Sequence, residues 1–529
     1  MKKLLAGSIG VAAAVALALA LSTSPALAKS HGGPGASHRA APPAVTSKQS
    51  VTSGSVTVDG KRISYKAIAG VMVVKNSKDK PYVGMSYVAY IKKGVRDEAR
   101  RPITFFYNGG PGSSTVWLQM LAYGPKLVVV GNGTLTPPAP YKLVNNDNTL
   151  LGATDEVFID APGTGFGRII TKKMGGVGTP KMVFGTDADA RTFARFIQEY
   201  ITVHNRWNSP KFLYGESYGT TRDAVLAYDL TRGSIDLNGV VFQSAVLNWN
   251  LMLDFTQLEP GLSLAYATGL PSEAATAWYH KKVPNQPKTL FPFLTQVEQF
   301  AMGPYLQALT KGNMLDSATK QKIAEQMHQY LGLPTDYILK ANLRINDGKF
   351  RHELLGASDE ITGRLDSRYT GPALDPMAEN AEYGPLMSAI GSPTVALWNE
   401  YVRNTLKFGK GMVYKPMTNA IRQWDYNTTE PGEMGFKIPF TVNVMPFIAD
   451  AMKLNPNMKV MLTGGYFDLG TPFFAAKYEF EHLTLPPKLQ KNISYHFFQS
   501  GHMVYLNPAA HKGLTDATAA FIDASYKTK

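Results

Sequence analysis

Two hydrophobic rhythms divide this chain. Short, mainly apolar runs bounded by Gly, Pro, Asn or Asp occur at residues 103–107, 157–159, 212–214, 240–242, 460–462 and 493–498. Runs of this kind suit strands covered on both faces. Before them, residues 56–92 alternate apolar and polar positions, as in Tyr82-Val83-Gly84-Met85-Ser86-Tyr87, with Asp59-Gly60 as a hairpin turn. That pattern predicts antiparallel strands at the first edge of a mixed sheet. Between two of the apolar runs, Phe193, Phe196, Ile197, Tyr200 and Ile201 recur at helical spacing, with Thr186 or Asp187 as the expected cap. Strand and helix alternate, which argues for an α/β fold with a mostly parallel sheet and helices on both faces.

The alternation breaks between residues 251 and 440, where helical stretches appear at 291–309 and 317–330. An insertion placed between the middle and last strands sits over the carboxyl edge of an open sheet, where ligands bind. We read it as a largely helical cap shaping a cleft, with Trp278, Tyr305, Trp398 and Trp424 as its own core. The core on either side is expected at 56–250 and 441–529. Residues 29–55 carry almost no large apolar side chains and read as a flexible leader. The first 28 residues read as a secretory signal: Lys2 and Lys3, an apolar stretch, then Ala26-Leu27-Ala28 as a cleavage site. The mature chain is expected to begin near Lys29, outside the cytoplasm, in the periplasm or beyond the cell. No later stretch has the length of a membrane span.

Composition removes several chemistries. The chain has no cysteine, so disulfides, thiolate metal sites and a cysteine nucleophile are excluded. The formal net charge is +14, or +12 without Lys2 and Lys3, and the basic residues are scattered. Scattered lysines are a solvated surface, and no nucleic-acid motif accompanies them. No His-Glu pair has zinc-ligand spacing, and Gly163-Thr164-Gly165-Phe166-Gly167 lacks the Lys-Ser/Thr ending of a phosphate loop. Neither a cofactor nor a metal is implied.

The chemistry gathers around Gly215-Glu216-Ser217-Tyr218-Gly219, which follows an apolar run and precedes a helix-compatible stretch at 220–230. This is the pattern of a nucleophile elbow: a strand, a strained turn with a serine at its apex, and a helix. Asp468 and His502 follow, each after a strand-like run, giving the order Ser, Asp, His of α/β-hydrolases. Ser217 is then the nucleophile, His502 its base and Asp468 the group that orients the imidazole.

Three further words, Asn108-Gly109-Gly110-Pro111-Gly112-Ser113-Ser114, Gly215-Glu216-Ser217-Tyr218 and Gly501-His502-Met503-Val504, resemble the serine carboxypeptidase family. The resemblance covers about 100–245 and 458–510 and leaves the middle of the chain unmatched. It implies an oxyanion hole from the backbone NH groups of Gly110 and Tyr218, with the bare backbone at Gly110 allowing close approach. It also implies a receptor for the substrate's terminal carboxylate built from Asn108, Gly109 and a protonated Glu216. The activity expected is release of C-terminal residues from peptides through an acyl-enzyme.

This chain departs from the family pattern at three places. Ser113 stands where the family usually has Cys, which points to a cysteine-free, bacterial-type branch. Gly465-Tyr466-Phe467-Asp468 keeps only the second carboxylate of the usual Gly-Asp-x-Asp turn, and Ala122 replaces a glutamate expected to pair with Glu216. An esterase or acyltransferase on the same triad is the nearest competing reading. A noncatalytic peptide-binding protein is the third.

Overall fold

Strand β4 (Ile103–Tyr107) shows how the sheet is built: Ile103, Phe105 and Tyr107 enter one apolar core and Phe106 the core on the opposite face. Alternate side chains on a strand point to opposite faces, so an unbroken apolar run means cover on both sides. The computed structural model describes residues 46–256, 260–429, 431, 437–438 and 442–526. The expected signal (1–28) and residues 29–45 of the expected leader lie outside the described residues.

Three antiparallel strands, β1 (Lys48–Val58), β2 (Lys61–Lys75) and β3 (Pro81–Lys92), form one edge. The turn between β1 and β2 is Asp59-Gly60, with φ of 46° and 75°, as the sequence predicts. β1 begins eight residues inside the stretch read as a flexible leader, which is a correction. Its Ser/Thr/Val-rich sequence buries little, but its backbone pairs with β2 along its whole length, and pairing does not require a large apolar side chain.

The remaining strands are β5 (Asp155–Ile159), β6 (Lys211–Glu216), β7 (Gly239–Gln243), β8 (Lys459–Gly465) and β9 (Ile493–Phe498). The sheet order is β1-β2-β3-β5-β4-β6-β7-β8-β9, parallel from β5 onward, with the two-residue strand Arg168–Ile169 beside β3. Helices α1 (Thr186–Val203) and α2 (Tyr218–Arg232) cover one face. Thr186 and Asp187, expected as caps of α1, lie inside its first turn; Gly185 holds the cap position, and the Thr186 NH donates to the Asp425 carbonyl.

The insertion brings helices α3 (Leu264–Tyr279), α4 (Leu290–Phe300), α5 (Leu306–Lys311), α6 (Ser317–Leu331), α7 (Thr335–Lys340) and α8 (Asp347–Glu353). They share a core with Phe467, Leu469, Phe473 and Phe474, from the segment just after β8. Helix α9 (Pro385–Asn404) instead joins the core on the second sheet face, where Trp398 packs with residues of β3 and β4. Of the four aromatics read as cap core, Tyr305 and Trp278 belong to the helical cluster, Trp398 to the sheet, and Trp424 to a small cluster around Tyr218. Helix α10 (Met445–Leu454) packs on α2, α11 (Phe473–Glu481) packs on β8, and α12 (Pro508–Tyr526) closes the second face.

Candidate active site

Parallel register brings the carboxyl ends of four neighbouring strands together. Tyr107 pairs with Gly215, Glu216 with Gln243, and Thr463 lies opposite Gln243 on the far side. The residues that follow, Asn108, Ser217, Ser244 and the turn to Asp468, therefore emerge side by side at one edge. This is where open α/β sheets bind ligands.

Ser217 links β6 to α2 with φ 63° and ψ −131°, a strained conformation for a side chain other than glycine. The turn is held on both sides: the Ser217 NH donates to the Gln243 carbonyl at 3.0 Å, and Thr220 Oγ1 donates to the Ser217 carbonyl at 2.6 Å. A Cβ on Gly215 would lie 2.4 Å from the Gly219 carbonyl oxygen, so the strand can approach the helix only as glycine. Ser217 is half-buried, whereas Glu216 and Tyr218 on either side are buried.

Asp468 and His502 meet directly, His502 Nδ1 lying 2.7 Å from Asp468 Oδ2. Asp468 also accepts from the Gly470 and Thr471 NH groups (2.9 and 3.0 Å) and from Thr471 Oγ1 (2.7 Å). With the carboxylate as acceptor, His502 carries its proton on Nδ1 and leaves Nε2 as the free base. Burial lowers the His502 pKa, but Asp468, its hydrogen bond and Glu216 outweigh it and the net shift is upward. Gln243 ties this pair to the elbow. Its Nε2 donates to Glu216 Oε2 at 2.8 Å and to the His502 carbonyl at 3.2 Å, while Ser244 Oγ donates to the same carbonyl at 2.7 Å. Among the described residues no hydrogen bond joins Ser217 to His502 directly; such contacts commonly tighten only with substrate bound.

The loop after β4 lies against the start of α2. A Cβ on Gly109 would stand 2.3 Å from the Tyr218 amide nitrogen. Gly109 is thus where this loop comes closest to the start of the helix. Gly110 requires glycine for a different reason, its φ of 109°, and it is exposed where its neighbours are buried. Asn108 is held at three atoms: Nδ2 donates to Glu216 Oε1 at 2.6 Å, Oδ1 accepts the Leu118 NH at 3.1 Å, and the carbonyl accepts from Arg222 Nη1 at 3.0 Å. Arg222 is itself fully buried and paired with Asp189 at 2.6 Å.

Burial pushes the Glu216 carboxyl up to about 7; His502 and the hydrogen bond from Asn108 hold it from rising further. Its neighbours are the amides of Asn108 and Gln243, with the Tyr505 hydroxyl facing it short of a well-formed hydrogen bond. Two amides and a phenol thus stand around Glu216 in a chain that has Ala122 in place of the second glutamate. Tyr218 points its ring edge-on to Trp424 and Trp249, with centroids 5.2 and 6.1 Å apart, and Trp424 stacks on Phe184.

Gln243, Thr471 and Tyr505 were not singled out from sequence. Thr471 carries a local signal, a hydroxyl three residues after Asp468. Gln243 carries a fainter one, a polar residue ending an apolar run, and only the strand register reveals what it faces. Among the described residues no three His, Asp or Glu side chains gather as a metal-ligand set.

A mostly parallel sheet with helices on both faces, a serine elbow after an inner strand and an Asp–His pair contributed after the last two strands define an α/β-hydrolase. The solved structure of Kex1Δp, a prohormone-processing carboxypeptidase from Saccharomyces cerevisiae, is similar in fold: TM-score 0.53 at 13% identity, over 87% of this chain and 92% of that one. More distant are the peroxisomal α/β-hydrolase Lpx1 of Saccharomyces cerevisiae (TM-score 0.37, 10% identity, 92% of each chain) and a proline iminopeptidase of Mycobacterium smegmatis (TM-score 0.33, 11% identity, 90% of this chain and 98% of that one). No curated protein sequence matches the chain significantly. The serine carboxypeptidase family model matches residues 60–431, and the chain belongs to that family. It is a serine-type carboxypeptidase, a hydrolase acting on peptides. The match runs through residues 250–431, which the motifs alone left unassigned, and ends before Asp468 and His502.

Proposed function

We propose that Ser217, His502 and Asp468 form the catalytic triad and that Asn108, Gly109 and Glu216 receive the terminal carboxylate of the peptide. The observation that supports this most strongly is the 2.7 Å Asp468–His502 pair, tied through Gln243 to the strained elbow of Ser217. In this reading Ser217 Oγ attacks the last peptide carbonyl while His502 Nε2 takes its proton. The NH groups of Gly110 and Tyr218 stabilise the oxyanion; the Tyr218 NH opens α2 and lies at the positive end of its dipole. His502 then gives its proton to the leaving amine, the C-terminal residue departs, and water attacks the acyl-enzyme by the same route in reverse. Protonated Glu216 donates to one oxygen of the substrate carboxylate, and the Asn108 amide and Gly109 NH serve the other.

We further propose that the chain is exported. Lys2, Lys3, the apolar run and Ala26-Leu27-Ala28 support this, and among the described residues no helix is long and apolar enough to cross a membrane. A fluorophosphonate probe tests the nucleophile. Peptide mapping by mass spectrometry should find one labelled residue, Ser217, and no labelling in His502→Ala; a label elsewhere would overturn the assignment.

A further inference from the structure

Residues 364–368 of the insertion pass between the two segments that carry Asp468 and His502, and bond to both. On one side the Leu469 NH donates to the Arg364 carbonyl at 3.0 Å, and the Ser367 NH donates to the Phe467 carbonyl at 2.9 Å, so the residues before and after Asp468 are both held. On the other side the His502 NH donates to the Leu365 carbonyl at 2.6 Å, and Arg368 Nη2 donates to Ser500 Oγ at 3.2 Å. Gly501 lies flat on Asp366, where a Cβ would come within 2.4 Å of the Asp366 side chain.

These links to the acid–base pair are mainly backbone bonds, so side-chain identity does not make them; the position of the strap does. That position is set by anchors in the insertion. Arg364 forms a two-armed ion pair with Asp254, Nε to Oδ1 at 2.8 Å and Nη2 to Oδ2, with Asp347 3.9 Å from Nε. Ser367 is bonded to Thr276 Oγ1 at 2.6 Å, and its carbonyl lies 2.7 Å from His280 Nε2. Bidentate geometry fixes orientation as well as distance.

We infer that residues 364–368 are a positioning strap that holds Asp468 and His502 in alignment, and that the Arg364–Asp254 ion pair is its principal anchor. This rests on the reading of Asp468 and His502 as the catalytic pair. Releasing the anchor lets both loops drift, and a displacement near 1 Å at a reacting group costs on the order of a hundredfold in rate. Among the described residues no hydrogen bond joins Asn108, Gly109 or Glu216 to the strap, so substrate binding is spared. Arg364 also acts through its charge. The charged groups bearing on His502 are Asp468 and Glu216, which raise its pKa, and Arg364, which lowers it.

The test compares Asp254→Asn, Arg364→Gln and Arg364→Lys, with kcat expressed per serine titrated by the fluorophosphonate so that unfolded molecules do not count. The strap predicts kcat lower by about 10- to 100-fold in Asp254→Asn and Arg364→Gln with KM changed less than about threefold. The acidic limb of the kcat profile should move to higher pH in Arg364→Gln and stay in place in Arg364→Lys, which keeps the charge. Unchanged kcat per titrated serine in Asp254→Asn, or in Arg364→Gln with an unmoved limb, would overturn the strap, and Asp254→Asn decides alone if the arginine variants do not fold. His502→Ala separates the two levels: activity retained there would remove the catalytic pair itself, whereas activity lost there with unaltered anchor variants would remove only the strap.

Discussion

At the scale of single residues, the proposed catalysis rests on two groups whose ionisation requirements oppose each other. His502 must be neutral to accept a proton, and its pKa lies above the ordinary value, so kcat should fall as pH drops through that raised value. Glu216 must be protonated to donate to a carboxylate, and burial pushes it up to about 7. The donor is therefore present below 7 and lost as pH rises through it, when a buried negative charge comes to face the substrate's own. KM for free-acid peptides should rise across that range, and in Glu216→Gln, which stays neutral, the rise should vanish; steady-state kinetics from about pH 5 to 9 will show it. Ser217→Ala should lower turnover by about a millionfold with the fold intact, as loss of the nucleophile does in other triads. The placing of Ser217 at a strand–helix turn and of Asp468 beside His502 was legible in sequence, because the chemistry proposed for them needs fixed residue types next to strand ends. Gln243 and Tyr505 were not, since what they touch is decided by strands and turns far away in sequence.

At the scale of elements, Gly109 carries the approach of loop to helix. Gly109→Ala would place a Cβ 2.3 Å from the Tyr218 nitrogen, so the loop must move away from the helix and take its NH groups with it. The expected result is a fall in kcat/KM of about 100-fold, while Gly152→Ala, where no atom lies within 4 Å of the added carbon, should leave it unchanged. The inner strands were legible in place, since a run such as Phe212-Leu213-Tyr214 between breakers can be buried on both faces only as a central strand; 103–107 and 493–498 were read at full length, and the other four as three-residue stretches of strands five to seven residues long. β1 was not, because Lys48–Val58 is a strand by virtue of its partner rather than its own apolar pattern. The start of α1 was misread for a related reason, as a backbone carbonyl from Asp425 supplies what a side-chain cap was expected to supply.

At the scale of the whole molecule, the sheet is tied at the far end from the site by Asp155, which holds Arg101 at 3.1 Å and Arg206 at 2.7 Å in a buried cluster. Asp155→Ala would leave two guanidinium groups buried without their counter-ion and should destabilise the fold by about 3–5 kcal/mol in urea denaturation. The insertion was legible as helical but not in its attachments. Its helices pack on Phe467, Phe473 and Phe474, more than a hundred residues beyond most of them, and α9 crosses to the sheet. Only contacts at that distance reveal that residues 364–368 of the insertion hydrogen-bond to the segments that carry Asp468 and His502. Capture of a free C-terminus beside an acylating serine can be read from mass spectrometry of one peptide and its C-terminally amidated twin, incubated with the protein and with Ser217→Ala. Stepwise loss of C-terminal residues is expected from the free-acid peptide alone and not with the variant. Equal cleavage of both peptides, or cleavage that survives Ser217→Ala, would rule such capture out.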